Sequence, residues 1–306
     1  MLQLLLGGSG SGKTTLLYQR IRARAEKGEK SILLVPEQFT SSTEGRIYRE
    51  LGDTLSGMVE SFSFTSLAEK ILSTEGGAAV QTLSDAGRAV LVRRALEELQ
   101  DNVHYYHRHR RSAAFCQMAA QTIDELKSAG LSGQQLAQLA GACGAESGKL
   151  SELALIFQGY ETLLARSGMD PSDRLELAGA RLEEALARHS LPEFLRDRAV
   201  FIDEFDTFNA PKKRLLGAML AALPSVTVAL CDDGAPLLPG DLSLFSGAKQ
   251  VAAQLRQLAR KNGAEVAVPQ LLRKDLRHRN APGLAAVTEL LETGSCTADA
   301  PAGEVR

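Results

Sequence analysis

LLLGGSGSGKTTLL, residues 4–17, is the stretch whose reading decides the fold. Gly7-Gly8-Ser9-Gly10-Ser11-Gly12-Lys13-Thr14 fits the pattern GxxxxGK[ST] in full. Its glycines allow backbone conformations closed to other residues, so successive N–H groups can turn inward and cradle phosphates at a helix N-terminus. Lys13 is placed to reach the β- and γ-phosphates, and the Thr14 hydroxyl to hold Mg2+. The context is the one the mechanism requires. The apolar run 2–6 reads as a buried parallel strand, and a helix follows from about Lys13 to Lys27. The candidate nucleotide contacts are Gly7, Gly8, Ser9, Gly10, Ser11, Gly12, Lys13, Thr14 and Thr15, with Gln38 after the next strand. A glycine-rich turn that binds nothing, or a pocket that holds nucleotide without hydrolysing it, would leave the same pattern.

A phosphate loop of this kind needs an Asp at the end of another strand to fix the hydrated metal. AVFIDEF, residues 199–205, supplies one: four apolar residues, then Asp203 and Glu204. Asp203 is the candidate Mg2+ partner of Thr14, and Glu204 the candidate base for the attacking water, so Lys13, Asp203 and Glu204 form the catalytic set. Alone, the acids could be a strand end meeting solvent. Asp232 and Asp233, after the run SVTVALC (225–231), could sense a γ-phosphate or merely cap a turn.

Working outward, SILLVP (31–36) and MVESFSF (58–64) read as strands, each followed by a helical segment. The helix SSTEGRIYRELG is expected to stop at its glycine, Gly52. Strand–helix alternation breaks off near Gly76, and residues 82–188 carry only helical periodicity. It returns at Arg198, with a helix from Ala210 to Leu223, the strand 225–231, a helix beginning SGAKQ, a short strand AEVAVP (264–269) and a last helix over about 281–293. The expected class is α/β: a P-loop, RecA-like, superfamily 1 helicase-like parallel sheet. Residues 1–80 and 197–293 form the two halves of one domain, interrupted by an all-helical insertion over 81–196, with a disordered tail over 294–306.

Composition sets the limits. The chain has 306 residues, 44% hydrophobic and 24% charged, with a net charge of −2. That is a globular balance with no overall attraction for nucleic acid. No apolar run reaches the ~18 residues of a membrane span, and the first residues are too short for a signal peptide. Cys116, Cys143, Cys231 and Cys296 form no CxxC pair and read as reduced, buried thiols of a cytoplasmic protein. Two basic runs stand out, HYYHRHRR (104–111) and RKDLRHR (273–279). Arg108, Arg110, Arg111, Arg277 and Arg279 are candidate nucleic-acid contacts through phosphate charge, with solvated loops as the plainer alternative.

Beyond the phosphate loop the sequence resembles a particular family. LLVPEQFTSSTEGRIYRELG, SFSFTSLAEKIL, LSDAGRAVLVRRALEEL, GKLSELALIFQGYETLL, MDPSDRLELA and FIDEFDTFNAPKKRLL occur in the order seen in the AddB (or RexB) subunit of bacterial AddAB-type helicase–nucleases. The resemblance covers roughly residues 1–293. The second acidic motif often reads Asp-Gly-Phe in that family, so Glu204 is a variant. The resemblance implies an ATP–Mg2+ site, contact with DNA (duplex ends and single strand), and an AddA-type partner carrying the main motor. It also implies double-strand-break resection for recombinational repair. The family's nuclease, its iron–sulfur cluster and the second motor domain are expected outside these residues, and the four Cys here are not the cluster's ligands. A P-loop kinase or switch of another class, and a non-hydrolysing scaffold, are the alternatives.

Overall fold

The structure, a computed structural model, describes residues 1–77, 79, 81–144 and 147–294. Cys296 and residues 295–306 of the tail assigned to 294–306 lie outside them. Among the described residues six strands are formed: β1 (Leu2–Gly7), β2 (Ser31–Leu34), β3 (Val59–Phe62), β4 (Ala199–Ile202), β5 (Ser225–Cys231) and β6 (Gln270–Leu272). They make one sheet of order β3-β2-β4-β5-β1-β6, every pairing parallel. Around the sheet strands run α1 (Lys13–Ala25), α2 (Thr40–Ser56) and α3 (Phe64–Glu75). Between β3 and β4 follow α4 (Asp85–Glu98), α5 (Ala113–Ser128), α6 (Gly133–Ala140), α7 (Ser147–Ser167) and α8 (Pro171–Ala187). The chain then adds α9 (Ala210–Ala222), α10 (Ser246–Lys261) and α11 (Pro282–Thr293).

Two compact units emerge, one from Met1–Leu67, Ala185–Phe208 and Leu216 onward, the other from Ala68–Glu184 and Asn209–Leu215. In the first, β2 and β4 are buried at every position, as strands covered on both faces must be. Leu17, Tyr18 and Ile21 of α1, with Ile47 and Leu51 of α2, pack against Leu5, Leu33 and Phe201 of the sheet. Each fully buried Leu or Ile contributes about 1.5–3 kcal/mol, which fixes α1 against the strands and with it the turn joining β1 to α1. In the second unit, Val92, Ile123, Phe157 and Tyr160 gather helices α4, α5 and α7 around their own core. Here α6 is closed by a capping box in which the Ser132 hydroxyl accepts from the Gln135 N–H and the Gln135 side chain accepts from the Ser132 N–H.

Two local expectations are corrected, and a third is refined. AEVAVP forms only an isolated bridge, Val266 to Leu2, and the sixth strand lies after Pro269. Val268 is 86% exposed, so that segment follows the sheet edge without a face to bury; a proline also has no N–H to give a ladder. Gly52 stops the first helical run of α2 as expected: the chain leaves helical geometry there (φ 76°, ψ 174°), which glycine's freedom permits, and a second short helical run follows to Ser56. Finally, Cys116 is buried, but Cys143 and Cys231 are exposed, all three as free thiols. Cys143 follows the short α6, and Cys231 ends β5 at the edge of a cavity, so neither has neighbours to cover it.

Candidate functional site

All six strands run the same way, so their carboxyl ends share one edge of the sheet, where ligands bind in folds of this kind. β1 and β4 are separated by β5 alone. The glycine-rich turn leaves β1 and Asp203 leaves β4, so residues about 190 positions apart arrive side by side. A cavity of about 470 Å3 opens there, lined among others by Gly12, Lys13, Thr14, Arg46, Asp203 and Glu204.

Gly10 and Gly12 have φ of 77° and 88°, the left-handed region that side-chain-bearing residues avoid at about 1 kcal/mol or more. Lys13 folds back over the turn, its Nζ donating to the carbonyls of Gly7 (2.8 Å) and Gly8 (2.7 Å). Burial pulls its ammonium below the usual lysine range, opposed by the charges of Cys231, Asp203 and Glu292. The Ser11 hydroxyl is buried with no hydrogen-bond partner among the described residues.

Asp203 is 6% exposed, and its backbone N–H extends the β2 ladder to the Leu34 carbonyl. Its carboxylate accepts from the Glu204 N–H at 3.0 Å and shares the cavity wall with Thr14. Burial raises its pKa, with the Thr14 contact, the Glu204 N–H and Lys13 opposing. Glu204 adopts φ 64°, one of three non-glycine residues at positive φ among the described residues. Burial and the neighbouring Asp203 charge raise its carboxyl too. A glycine would take this conformation without strain, so the acidic side chain is retained at a backbone cost of roughly 1 kcal/mol.

The other candidates are distributed differently. Gln38 is exposed in a short turn, Glu37–Phe39, and lines neither this cavity nor its neighbour. Asp232 and Asp233 cap the following turn, accepting from the N–H groups of Gly234 (2.7 Å) and Ala235 (2.8 Å). Arg277 lies on the glycine-rich turn, its guanidinium 3.2 Å from the Ser9 hydroxyl, while Arg279 is exposed beyond it. Arg108, Arg110 and Arg111 belong to the helical unit, in and just after a single turn at His107–His109. Arg108 and Arg111 are exposed, and Arg110 meets the His107 ring at 2.7 Å. That loop is held by Glu152, which is buried and whose carboxylate accepts from the N–H groups of His104, Tyr105 and Tyr106.

Residues 275–277 and α11 also meet the loop. The Leu276 N–H donates to the Gly10 carbonyl at 3.0 Å. The Glu292 carboxylate stands so close that a Cβ on Gly8 would meet its Oε1 at 2.1 Å. Arg46 of α2 lines the cavity as well. Nothing in the sequence singled out Arg46 or Glu292, since a charged residue on a helix reads as a solvated face.

The description "ADDB, N-terminal" belongs to the family model that matches residues 4–288. The chain belongs to the AddB N-terminal family. Curated relatives agree with AddB. The B subunit of an ATP-dependent helicase/deoxyribonuclease from Desulforudis audaxviator is 34% identical over 296 residues, 93% of this chain and 25% of the relative. Proteins of the same name from Moorella thermoacetica (33% over 299 residues) and Clostridium perfringens (29% over 283) cover 93% and 91% of the chain. The chain thus spans about a quarter of the length of the AddB relatives it matches. Among the described residues no helix is long and apolar enough to cross a membrane.

Proposed function

We propose that this chain is the nucleotide-binding region of an AddB-type subunit: a RecA-like P-loop domain interrupted by a helical insertion, holding ATP with Mg2+. The observation that carries the reading is that Lys13 and Thr14 line one cavity at the carboxyl edge of the sheet with Asp203, which lies far from them in the sequence. The loop amides from Gly8 to Thr14 and the Lys13 ammonium suit a chain of phosphates. Thr14 and Asp203 suit one divalent cation, whose remaining ligands a P-loop site draws from phosphate oxygens and water. The partnerless Ser11 hydroxyl and the self-satisfied Lys13 are what such a loop offers when a phosphate can replace its internal contacts. Glu204 is the group placed to orient or deprotonate a water, and Mg2+ when bound supplies charge neutralisation on the phosphates.

From the names of its relatives we extend the reading to the whole protein, an ATP-dependent helicase/deoxyribonuclease subunit. It would act with an AddA-type partner on DNA ends during break repair in the cytoplasm, with the arginine-bearing loops as its DNA contacts. Hydrolysis by residues 1–306 alone is expected to be feeble, because a motor of this class completes its ATP site with an arginine from a second domain. Lys13→Ala tests the core of the proposal. ATP–Mg2+ should raise the melting temperature of the parent chain and leave the variant where it is; an equal rise in both removes the phosphate-loop assignment.

A further inference from the structure

We propose that Arg46 binds the terminal phosphate of the nucleotide and so lets this chain distinguish a triphosphate from a diphosphate. The inference rests on the nucleotide reading above and goes beyond it, since that reading places its arginine outside these residues.

Two cavities meet at the carboxyl edge of the sheet. The first runs along the glycine-rich turn from Arg277 and Gly10. The second, about 560 Å3, is bounded by Phe39, Ser42, Thr43 and Arg49 of the α2 side. Only Thr14, Arg46, Asp203 and Glu204 line both. A phosphate chain lying along the loop from Gly10 to Thr14 therefore ends at this seam, beside the Thr14–Asp203 pair. Of the four residues at the seam, Arg46 alone is positively charged.

The guanidinium is positioned for that task and otherwise uncommitted. It lies over the Tyr18 ring, 5.0 Å from the centroid. Tyr18 is 4% exposed and fixed in the α1 core one turn after Thr14. Such stacking leaves the edge of the guanidinium plane, with its N–H groups, free to donate. Among the described residues, Arg46 makes no hydrogen bond or ion pair, although its charge is felt by both Asp203 and Glu204. A cation that faces two acids without bonding either is suited to a third anion between them. An arginine meeting a phosphate makes charge-assisted, often paired hydrogen bonds. The phosphate present in ATP and absent in ADP is the one that reaches the seam.

The test is calorimetric titration of the full chain with ADP–Mg2+ and with a non-hydrolysable ATP analogue and Mg2+, for the parent, Arg46→Ala, Arg46→Lys and Lys13→Ala. The parent should prefer the triphosphate. Arg46→Ala should cut that preference about tenfold or more, the worth of a hydrogen bond to a charged group, and leave ADP affinity within about twofold. Arg46→Lys, which keeps the charge and much of the stem over Tyr18, should recover part of the preference. An unchanged preference in Arg46→Ala overturns the assignment. If Arg46→Ala melts early without ligand, the same reading is taken from Arg46→Gln, which keeps the stem and loses the charge. A purely structural role would lower both affinities together, which also overturns it. Binding of neither nucleotide by the parent, or binding indifferent to Lys13→Ala, removes the underlying nucleotide reading instead.

Discussion

Replacing Glu292 by Gln should tighten nucleotide binding. The Glu292 carboxylate lies across the face of Gly8, where an added Cβ would approach its two oxygens to 2.1 and 2.6 Å. Lys13 Nζ sits 2.7 Å from the carbonyl of that same glycine. A phosphate drawn to Lys13 and the loop amides then comes within roughly 5 Å of a fixed negative charge. At an effective dielectric near 40, fitting a half-exposed group, two unit charges at about 5 Å repel by ~1.7 kcal/mol, or about 15- to 20-fold in Kd. Calorimetry with ADP–Mg2+ at two salt concentrations measures it. The gain should shrink as salt rises, since screening acts on the repulsion that the variant removes. Glu26→Gln, at the far end of α1, makes the same change in net charge and should do nothing. Unchanged or weaker binding in Glu292→Gln, with an unchanged melting temperature, would refute the argument that this carboxylate competes for the phosphate position.

Glu204→Gly should stabilise the fold by up to about 1 kcal/mol, read by urea denaturation, because φ 64° is free to glycine; any ATP turnover should fall at the same time. Burial and the Asp170 carboxylate push Asp173 up to about 6. Asp170 itself is held low: burial opposes its charge, but hydrogen bonds and charge from Lys127 outweigh burial. A carboxyl raised in the folded state stabilises while protonated, fully below about pH 4, and that contribution is lost as pH rises through about 6. Asp173→Asn should therefore gain on the parent by about 1 kcal/mol, discounted for solvent exposure, between pH 4 and about 7; parallel melting-temperature profiles would contradict this. Ser132→Ala removes half of the capping box at α6 and should cost about 1 kcal/mol in thermal unfolding.

Much of the fold was legible because its signals are local. Apolar runs of four to seven residues ending at glycine, proline or acid marked β1, β2, β4 and β5. The glycine pattern marked the turn that joins β1 to α1, since its φ values are accessible to few other residues. AEVAVP misled because its apolar alternation matches a strand, while only Val266 of it bridges β1, at Leu2, and the ladder forms at Gln270–Leu272.

By itself, then, the sequence determined a glycine-rich turn, an acidic strand end and the α/β class, because each is written in neighbouring residues. Only the tertiary structure decided that Arg46 and Glu292 face the same turn, one as a free cation at its far end and the other as an anion across Gly8. Strand order brings the ends of β1 and β4 to one edge, while helix packing turns single charges of α2 and α11 toward it. A lone charge on an amphipathic helix carries no mark of what it faces, and across a cavity that direction sets the electrostatics.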